Sequence, residues 1–253
     1  MRFSVEAERV LITGASSGLG AHFARTLAGA GAQVAVAARR VDRLEALVAE
    51  IRDAGGSAFP VEMDVADPNS VAAGVKAAED ALGGLTGLVN NAGLAHGGPA
   101  LEIDEETWRR VMDVNLDGAF RVAQRVAKGM VETGSGGSIV NIASILGARV
   151  ATGVAAYCAS KAGIDHLTRA LALEWARYRI RVNAIAPGYF PSELTADYLE
   201  SEAADKQRKT VPMRRFGQLE ELDGPLLLLL SSAGAYMTGA TIPVDGGHLV
   251  SSL

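Results

Sequence analysis

Arg9-Val-Leu-Ile-Thr-Gly-Ala-Ser-Ser-Gly-Leu-Gly20 decides how this chain folds. Val10, Leu11 and Ile12 form an unbroken apolar run, so Arg9 to Thr13 reads as a short buried strand. Gly14, Gly18 and Gly20 follow at once, and Gly20 to Ala30 reads as a helix. Glycine at a first strand–helix junction permits a tight turn and lets backbone N–H groups approach a pyrophosphate. The helix N-terminus adds a dipole that favours the anion. The spacing, Gly-x-x-x-Gly-x-Gly, differs from the usual Gly-x-Gly-x-x-Gly, and a glycine turn alone also serves as a plain strand-to-helix turn. Its place at the first junction favours nucleotide binding.

Outward from that turn, strands and helices alternate. Strands are expected at Gln33–Ala38, Ser57–Glu62, Leu85–Asn90, Ser138–Ala143, Arg181–Ala186 and Thr241–Val244. Helices are expected over Asp42–Ala54 with Asp42 as N-cap, and over Pro68–Leu82 with Asp67 as cap. Asp104 opens a long helix to about Glu132, Val154–Tyr178 is a second, and Leu219–Ser231 is a shorter one. The pattern predicts an α/β fold, a Rossmann-type doubly wound parallel sheet of about seven strands with helices on both faces. No linker or composition break divides residues 1–253, so a single domain is expected. Residues 190–216 are polar and irregular, as a substrate-binding lid insertion would be.

Composition narrows the function. Hydrophobic residues make up 49% of the 253, enough for a large core. Net charge is −5 with no basic stripe, which argues against a nucleic-acid surface. Cys158 is the only cysteine, so an intrachain disulfide and a cysteine-based zinc cluster are excluded, and His22, His166 and His248 have no metal-ligand spacing. The first residues lack the apolar core of a signal peptide, and the run Pro225–Leu230 is too short to span a bilayer. A cytoplasmic protein without membrane attachment is the expectation.

In a doubly wound sheet the ligand sits outside the carboxyl ends of the strands. The suspicious residues fall there: Gly14, Ala38-Arg39, Asp64-Val65, Asn90-Asn-Ala-Gly93, Ser144 and Pro187-Gly188. Asp64 is placed to accept from an adenine amino group, or serves only as a helix-entry residue. Asn90 reads equally as a structural residue, and Gly93 permits close approach of a cofactor. Where a ribose 2′-hydroxyl would call for an acid, this chain has Ala38 followed by Arg39 and Arg40. A guanidinium matches a 2′-phosphate, so NADP(H) is favoured, with NAD(H) open. The alternative is a solvated basic turn.

Ser144 ends the fifth strand, and Tyr157 and Lys161 share one helical face just after it. Tyr-x-x-x-Lys alone is usually an exposed helix face; beside a strand-terminal serine and the glycine turn it becomes specific. Reducing a ketone needs a proton donor at oxygen as hydride reaches carbon. Tyrosine can donate, but with a reference pKa of about 10 it is a poor base near neutrality. Lowering it by two to three units takes about 3–4 kcal/mol. A cation about 4 Å away supplies roughly 4 kcal/mol at an effective dielectric of 20, and Lys161, helped by a positive oxidised nicotinamide, is the expected source. Ser144 would polarise the carbonyl oxygen by a hydrogen bond. Asn115, inside an otherwise amphipathic helix, marks either a kink holding a water that connects Lys161 to solvent, or a satisfied interior amide.

Together Thr13-Gly-x-x-x-Gly-x-Gly20, Asp64, Asn90-Asn-Ala-Gly93, Asn115, Ser144, Tyr157-x-x-x-Lys161 and Pro187-Gly188 resemble the classical short-chain dehydrogenase/reductase family, over about Val10 to Gly247. The resemblance implies a catalytic tetrad of Asn115, Ser144, Tyr157 and Lys161, with Lys161 on the nicotinamide ribose. It implies a dinucleotide site over Gly14, Ser16, Ser17, Gly18, Leu19, Gly20, Arg39, Arg40, Asp64, Val65, Asn91, Ala92, Gly93, Tyr157, Lys161, Pro187, Gly188, Phe190 and Ser192. Ser192 stands where the family has threonine and keeps the hydroxyl. NADP-preferring relatives often carry a basic residue in the glycine turn, where this chain has Ser17. Members are commonly tetramers built through the two long helices and the C-terminal segment, so a homotetramer, or a dimer, is implied. The C-terminal His248–Leu253 would be buried there or lie as a frayed tail.

The substrate expected is a small, mainly apolar ketone or secondary alcohol, met by Ser144, Leu146, Ala151, Tyr157 and Tyr189. His96 either edges that cavity or sits on a surface loop. Relatives also include 3-oxoacyl reductases acting on carrier-protein or CoA thioesters. Residues 129–137 carry no Lys or Arg to steer an acidic carrier, although Arg177, Arg179 and Arg181 leave that reading open. An NAD-dependent sugar or polyol dehydrogenase, an isomerase or dehydratase, and a nucleotide-sensing protein without turnover are the remaining alternatives.

Overall fold

The computed structural model describes residues 3–193 and 202–251. Seven parallel strands form one sheet in the order β3-β2-β1-β4-β5-β6-β7. They are β1 (Arg9–Thr13), β2 (Gln33–Ala38), β3 (Ser57–Glu62), β4 (Gly87–Asn90), β5 (Gly137–Ile142), β6 (Ile180–Pro187) and β7 (Thr241–Val244). The helices are α1 (Gly18–Gly29), α2 (Val41–Asp53), α3 (Pro68–Leu82), α4 (Glu105–Met112), α5 (Gly118–Thr133), α6 (Ala155–Trp175), α7 (Glu202–Thr210) and α8 (Asp223–Leu230).

Alternate residues of β1 serve opposite faces, as the strand's two-residue period requires. Val10 and Ile12 join the core formed with Phe23, Leu27, Leu44 and Leu226 of α1, α2 and α8. Leu11 joins the opposite core, with Val75, Val122 and Leu171 of α3, α5 and α6. Both faces are thereby covered, which explains the unbroken apolar run. Pro60 in β3 and Pro243 in β7 lie in the edge strands, where a missing N–H donor leaves no central ladder bond unmade, and Pro187 is the last residue of β6. β1 pairs with β2 on one side and β4 on the other. The strand order reverses between β1 and β4, and this switch point opens a crevice at the carboxyl ends.

Several boundaries differ from the sequence reading. α2 starts at Val41 with Arg40 at its cap, and Asp42 lies within the first turn rather than capping it. Asp67 does cap α3, its Oδ1 accepting the Asn69 N–H at 2.9 Å. The helix from Asp104 is not continuous: a π-helical turn, Asp113–Asp117, separates α4 from α5. Leu219–Leu222 is a 3₁₀ turn before α8. The proposed lid, residues 190–216, contains α7, while 194–201 lie outside the described residues. No helix among the described residues is long and apolar enough to cross a membrane.

Candidate active site

Thr13 ties the end of β1 to the end of β4. Its Oγ1 accepts the N–H groups of Asn91 and Ala92, both at 3.1 Å. Asn91 returns its side-chain amide to the carbonyls of Thr13 at 3.0 Å and Gly14 at 3.1 Å. The glycine turn is therefore locked against the Asn-Ala-Gly segment. Gly14 has φ +65°, and a Cβ there would lie 2.7 Å from the Ala92 Cα. A Cβ on Gly20 would lie 2.4 Å from the Gly14 carbonyl oxygen. α1 then begins at Gly18 with no side-chain cap and no acidic residue in its first turn. Ser17, Gly18 and Leu19 at its start line the crevice, where a helix N-terminus favours an anion.

A cavity of about 310 Å³ runs along the carboxyl ends of the strands. Every predicted cofactor residue lines it except Gly20, which packs behind the turn. Ser144, Tyr157 and Lys161 line the same cavity, so the glycine turn and the predicted reactive groups share one space. The small glycine turn, the helix end and a cavity that continues to Tyr157 fit an extended dinucleotide. Thr13, which opens the glycine motif, also lines it, as do Met63, Leu94, Val114, Ile142 and Glu193, which were not singled out in the sequence. Ile142 was accessible as a strand end; Glu193 had no local signal.

Asn115 lies within the π-helical turn, 1% exposed. Its Oδ1 accepts the Leu94 N–H at 2.8 Å, and its Nδ2 donates to the Leu94 carbonyl at 2.9 Å and Ser160 Oγ at 3.0 Å. Asn115 is thus a satisfied interior amide set in an irregular π-helical turn. Both amide protons are committed, so the side chain fixes the loop after β4. A Cβ on Gly93 would sit 3.4 Å from Asn115 Oδ1 and 3.7 Å from Lys161 Nζ, which places all three groups together.

Burial governs the electrostatics at Tyr157. Burial raises its pKa above the usual phenol value, against a smaller opposing effect of the hydrogen bond with Ser144. Lys161 is 5% exposed, and burial pushes its pKa down to about 8. Its Nζ donates to the Ile142 carbonyl at 2.7 Å and stands 5.6 Å from the Tyr157 ring centroid. A buried ammonium takes the strong acceptor nearest to it, and a buried phenol stays neutral. Tyr157 is thus held as a neutral phenol.

At the other end, Arg40 donates to Ser16 Oγ from Nε at 3.1 Å and Nη2 at 2.9 Å, and to Ser17 Oγ at 2.8 Å. Arg40 also pairs with Glu193 at 3.1 Å, and Arg43 pairs with the second Glu193 oxygen. Arg39 is 73% exposed, 3.9 Å from Asp64. Asp64 accepts the Ala66 N–H at 3.0 Å, a helix-entry contact, while also lining the cavity.

The substrate residues divide. Ser144 and Tyr157 line the main cavity. Tyr189 instead lines a neighbouring cavity of about 360 Å³ with Met213, Arg215 and Phe216, joined to the first through Phe190. Tyr189 is drawn there by stacking against Phe216 and His248, at 5.5 and 5.8 Å between ring centroids. Leu146 sits in a 3₁₀ turn with its N–H on Ser144 Oγ at 3.1 Å and lines neither cavity. His96 and Ala151 are exposed and line neither cavity; their loops meet through the Gly98 N–H and the Gly153 carbonyl at 2.9 Å.

A doubly wound sheet with a glycine turn and a Ser–Tyr–Lys cluster on one crevice defines a nucleotide-dependent oxidoreductase scaffold. A family model described as enoyl-(acyl carrier protein) reductase matches residues 14–248. Gluconate 5-dehydrogenase of Gluconobacter oxydans is 36% identical over 250 residues, 98% of this chain and 97% of that protein. The 3-oxoacyl-[acyl-carrier-protein] reductase FabG of Staphylococcus aureus is 39% identical over 238 residues, 94% and 96% of the two chains. The crystal structure of a gluconate 5-dehydrogenase from Burkholderia cenocepacia, in complex with NADP and tartrate, matches with a TM-score of 0.95. It is 37% identical, and the match covers 99% of this chain and 98% of that one. The chain belongs to the short-chain dehydrogenase/reductase family, enzymes that act on alcohols and carbonyls.

Proposed function

We propose that this protein is an NADP(H)-dependent reductase and dehydrogenase that interconverts a small, mainly apolar ketone with its secondary alcohol. The single observation that carries the proposal is the one cavity lined by both the Gly14–Gly18 turn and Ser144, Tyr157 and Lys161. The NADP in the Burkholderia relative supports the cofactor, as do Arg40 and the two serines at the adenosine end.

The turn and the start of α1 would hold the pyrophosphate, Arg40 with Ser16 the 2′-phosphate, and Lys161 the nicotinamide ribose. The bound dinucleotide supplies or accepts the hydride. Ser144 holds the substrate oxygen, and Tyr157 donates its phenolic proton to that oxygen during reduction. Lys161 is mostly protonated at neutral pH, given a pKa of about 8, and stabilises the phenolate that results. An ammonium has three donors, so the bond to Ile142 leaves others for phenolate and ribose. The cavity that holds Ser144 and Tyr157 is also lined by Leu94, Ile142, Ala143 and Phe190, and Lys161 stands 5.6 Å from the Tyr157 ring centroid. That lining suits an uncharged, apolar substrate.

We place the protein in the cytoplasm as a homotetramer. Trp108 on α4, Phe120 on α5 and Leu173 on α6 are exposed apolar side chains, Leu173 at 84%, which packing between subunits would cover. Light scattering should give four chains per particle; a monomer would refute this. The function itself is tested with a panel of ketones and alcohols, including gluconate and a 3-oxoacyl thioester, assayed with NADPH/NADP and NADH/NAD. Preferred turnover of apolar ketones with NADPH is expected. Turnover confined to gluconate or to the thioester would overturn the substrate class, and binding without turnover of any compound would favour a sensor.

A further inference from the structure

Glu193 reaches the adenosine end of the cavity from the β6 side, and the proposed chemistry gives it no task. Its Oε2 accepts from Arg40 Nη1 at 3.1 Å, and its Oε1 pairs with Arg43. The Ser17 hydroxyl also bonds it, and these donors hold its carboxyl at a pKa of about 2, so it is charged at any working pH. Arg40 meanwhile spans Ser16 and Ser17. Two guanidinium groups and two hydroxyls converge here, the donor set that a phosphate monoester takes. Arg39, the other candidate for that task, lines the cavity as well but is 73% exposed and pairs only loosely, at 3.9 Å, with Asp64.

We propose that Glu193 is an internal mimic of the cofactor's 2′-phosphate: it competes for Arg40 and Arg43 and so sets the preference between NADP and NAD. This rests on the dinucleotide reading of the cavity. To bind, a 2′-phosphate must displace the carboxylate from Arg40 and Arg43. A cofactor lacking that phosphate meets no such competition and leaves both ion pairs intact. Glu193 therefore narrows the advantage that the arginines would otherwise give to the phosphorylated form. Each pair is about half exposed, at 43% and 45% for the arginines and 53% for Glu193, so the effect is limited in size.

The test is the affinity of the full-length protein for two fragments, 2′,5′-ADP and 5′-ADP, by calorimetry in wild type, E193Q and E193A. Removing the charge should tighten 2′,5′-ADP by about three- to tenfold and leave 5′-ADP within about twofold. R43Q should weaken 2′,5′-ADP while sparing 5′-ADP. Equal changes for both fragments, or none, would overturn the role of Glu193 while leaving the dinucleotide site standing. Failure of wild type and variants alike to bind either fragment, NADPH or NADH would overturn the site itself, and the proposal with it. E193A guards against a glutamine that keeps the hydrogen bonds: agreement of the two variants supports competition by charge. Tightening in E193A alone supports competition by the bonds themselves.

Discussion

Lys161 is a buried cation whose pKa burial lowers from 10.5 to about 8, and this makes the stability of the protein depend on pH in a calculable way. The perturbation is Lys161→Met, which keeps the aliphatic stem and removes the charge. Between pH 8 and 10.5 the unfolded chain binds this proton and the folded chain releases it, so stability rises with pH across that window. The gain from Lys161 reaches about 2.5 kcal/mol by pH 10, at about 1.4 kcal/mol per pH unit. Tyr157 works in the opposite sense: its pKa is raised by burial, so its contribution falls above pH 10, and the comparison stops there. Urea unfolding of both proteins at pH 7, 8, 9 and 10, at one protein concentration, gives the difference directly. The wild type should gain about 2–3 kcal/mol relative to Lys161→Met from pH 7 to pH 10. A difference independent of pH would refute the claim that the ammonium is held in a desolvated site.

Gly20→Ala drives a Cβ to 2.4 Å from the Gly14 carbonyl, so the turn must open. It should cost about 1–3 kcal/mol in urea unfolding and weaken NADPH binding; unchanged binding would contradict the role given to the turn. Asn115→Ala strands the Leu94 N–H and carbonyl and removes the donor to Ser160 Oγ, which keeps its own bond to the Tyr157 carbonyl. A loss of about 2–4 kcal/mol is expected from the same measurement, and less than about 0.5 would show that the amide does not fix the loop. Because burial raises the Tyr157 pKa while Lys161 loses its proton near pH 8, carbonyl reduction should hold its rate to about pH 8 and fall above it, while alcohol oxidation, which needs the phenolate, should climb from about pH 6 to about 8. Initial rates in both directions check this, and an oxidation rate falling across that range would contradict it.

The sheet was legible because a parallel strand covered on both faces leaves a direct mark: Val10-Leu-Ile12 has no polar residue to place toward solvent. The cavity was legible for a related reason. Topology puts Gly14, Asp64, Asn91 and Ser144 at one end of that sheet, so residues far apart in sequence meet at its edge. The break at Asp113–Asp117 was visible only as an asparagine out of place, since one extra residue in a helical turn barely disturbs the apolar period. The direction of Lys161 depends on an Ile142 carbonyl brought close by β5, which no local pattern encodes. Glu193 meets Arg40 and Arg43 across 153 and 150 residues. Tyr189 was expected to meet the substrate, but its aromatic neighbours Phe216 and His248 hold it in the second cavity. Contacts of that range come from packing, and periodicity carries no trace of them.

The central claim is that the Tyr157 phenol delivers the proton beside the transferred hydride. The most direct measurement is single-turnover oxidation of bound NADPH by a ketone in wild type and Tyr157→Phe, with NADPH affinity measured in parallel. The account predicts equal affinity and a rate lower by at least about 10²-fold in the variant. An unchanged rate with NADPH bound would contradict it.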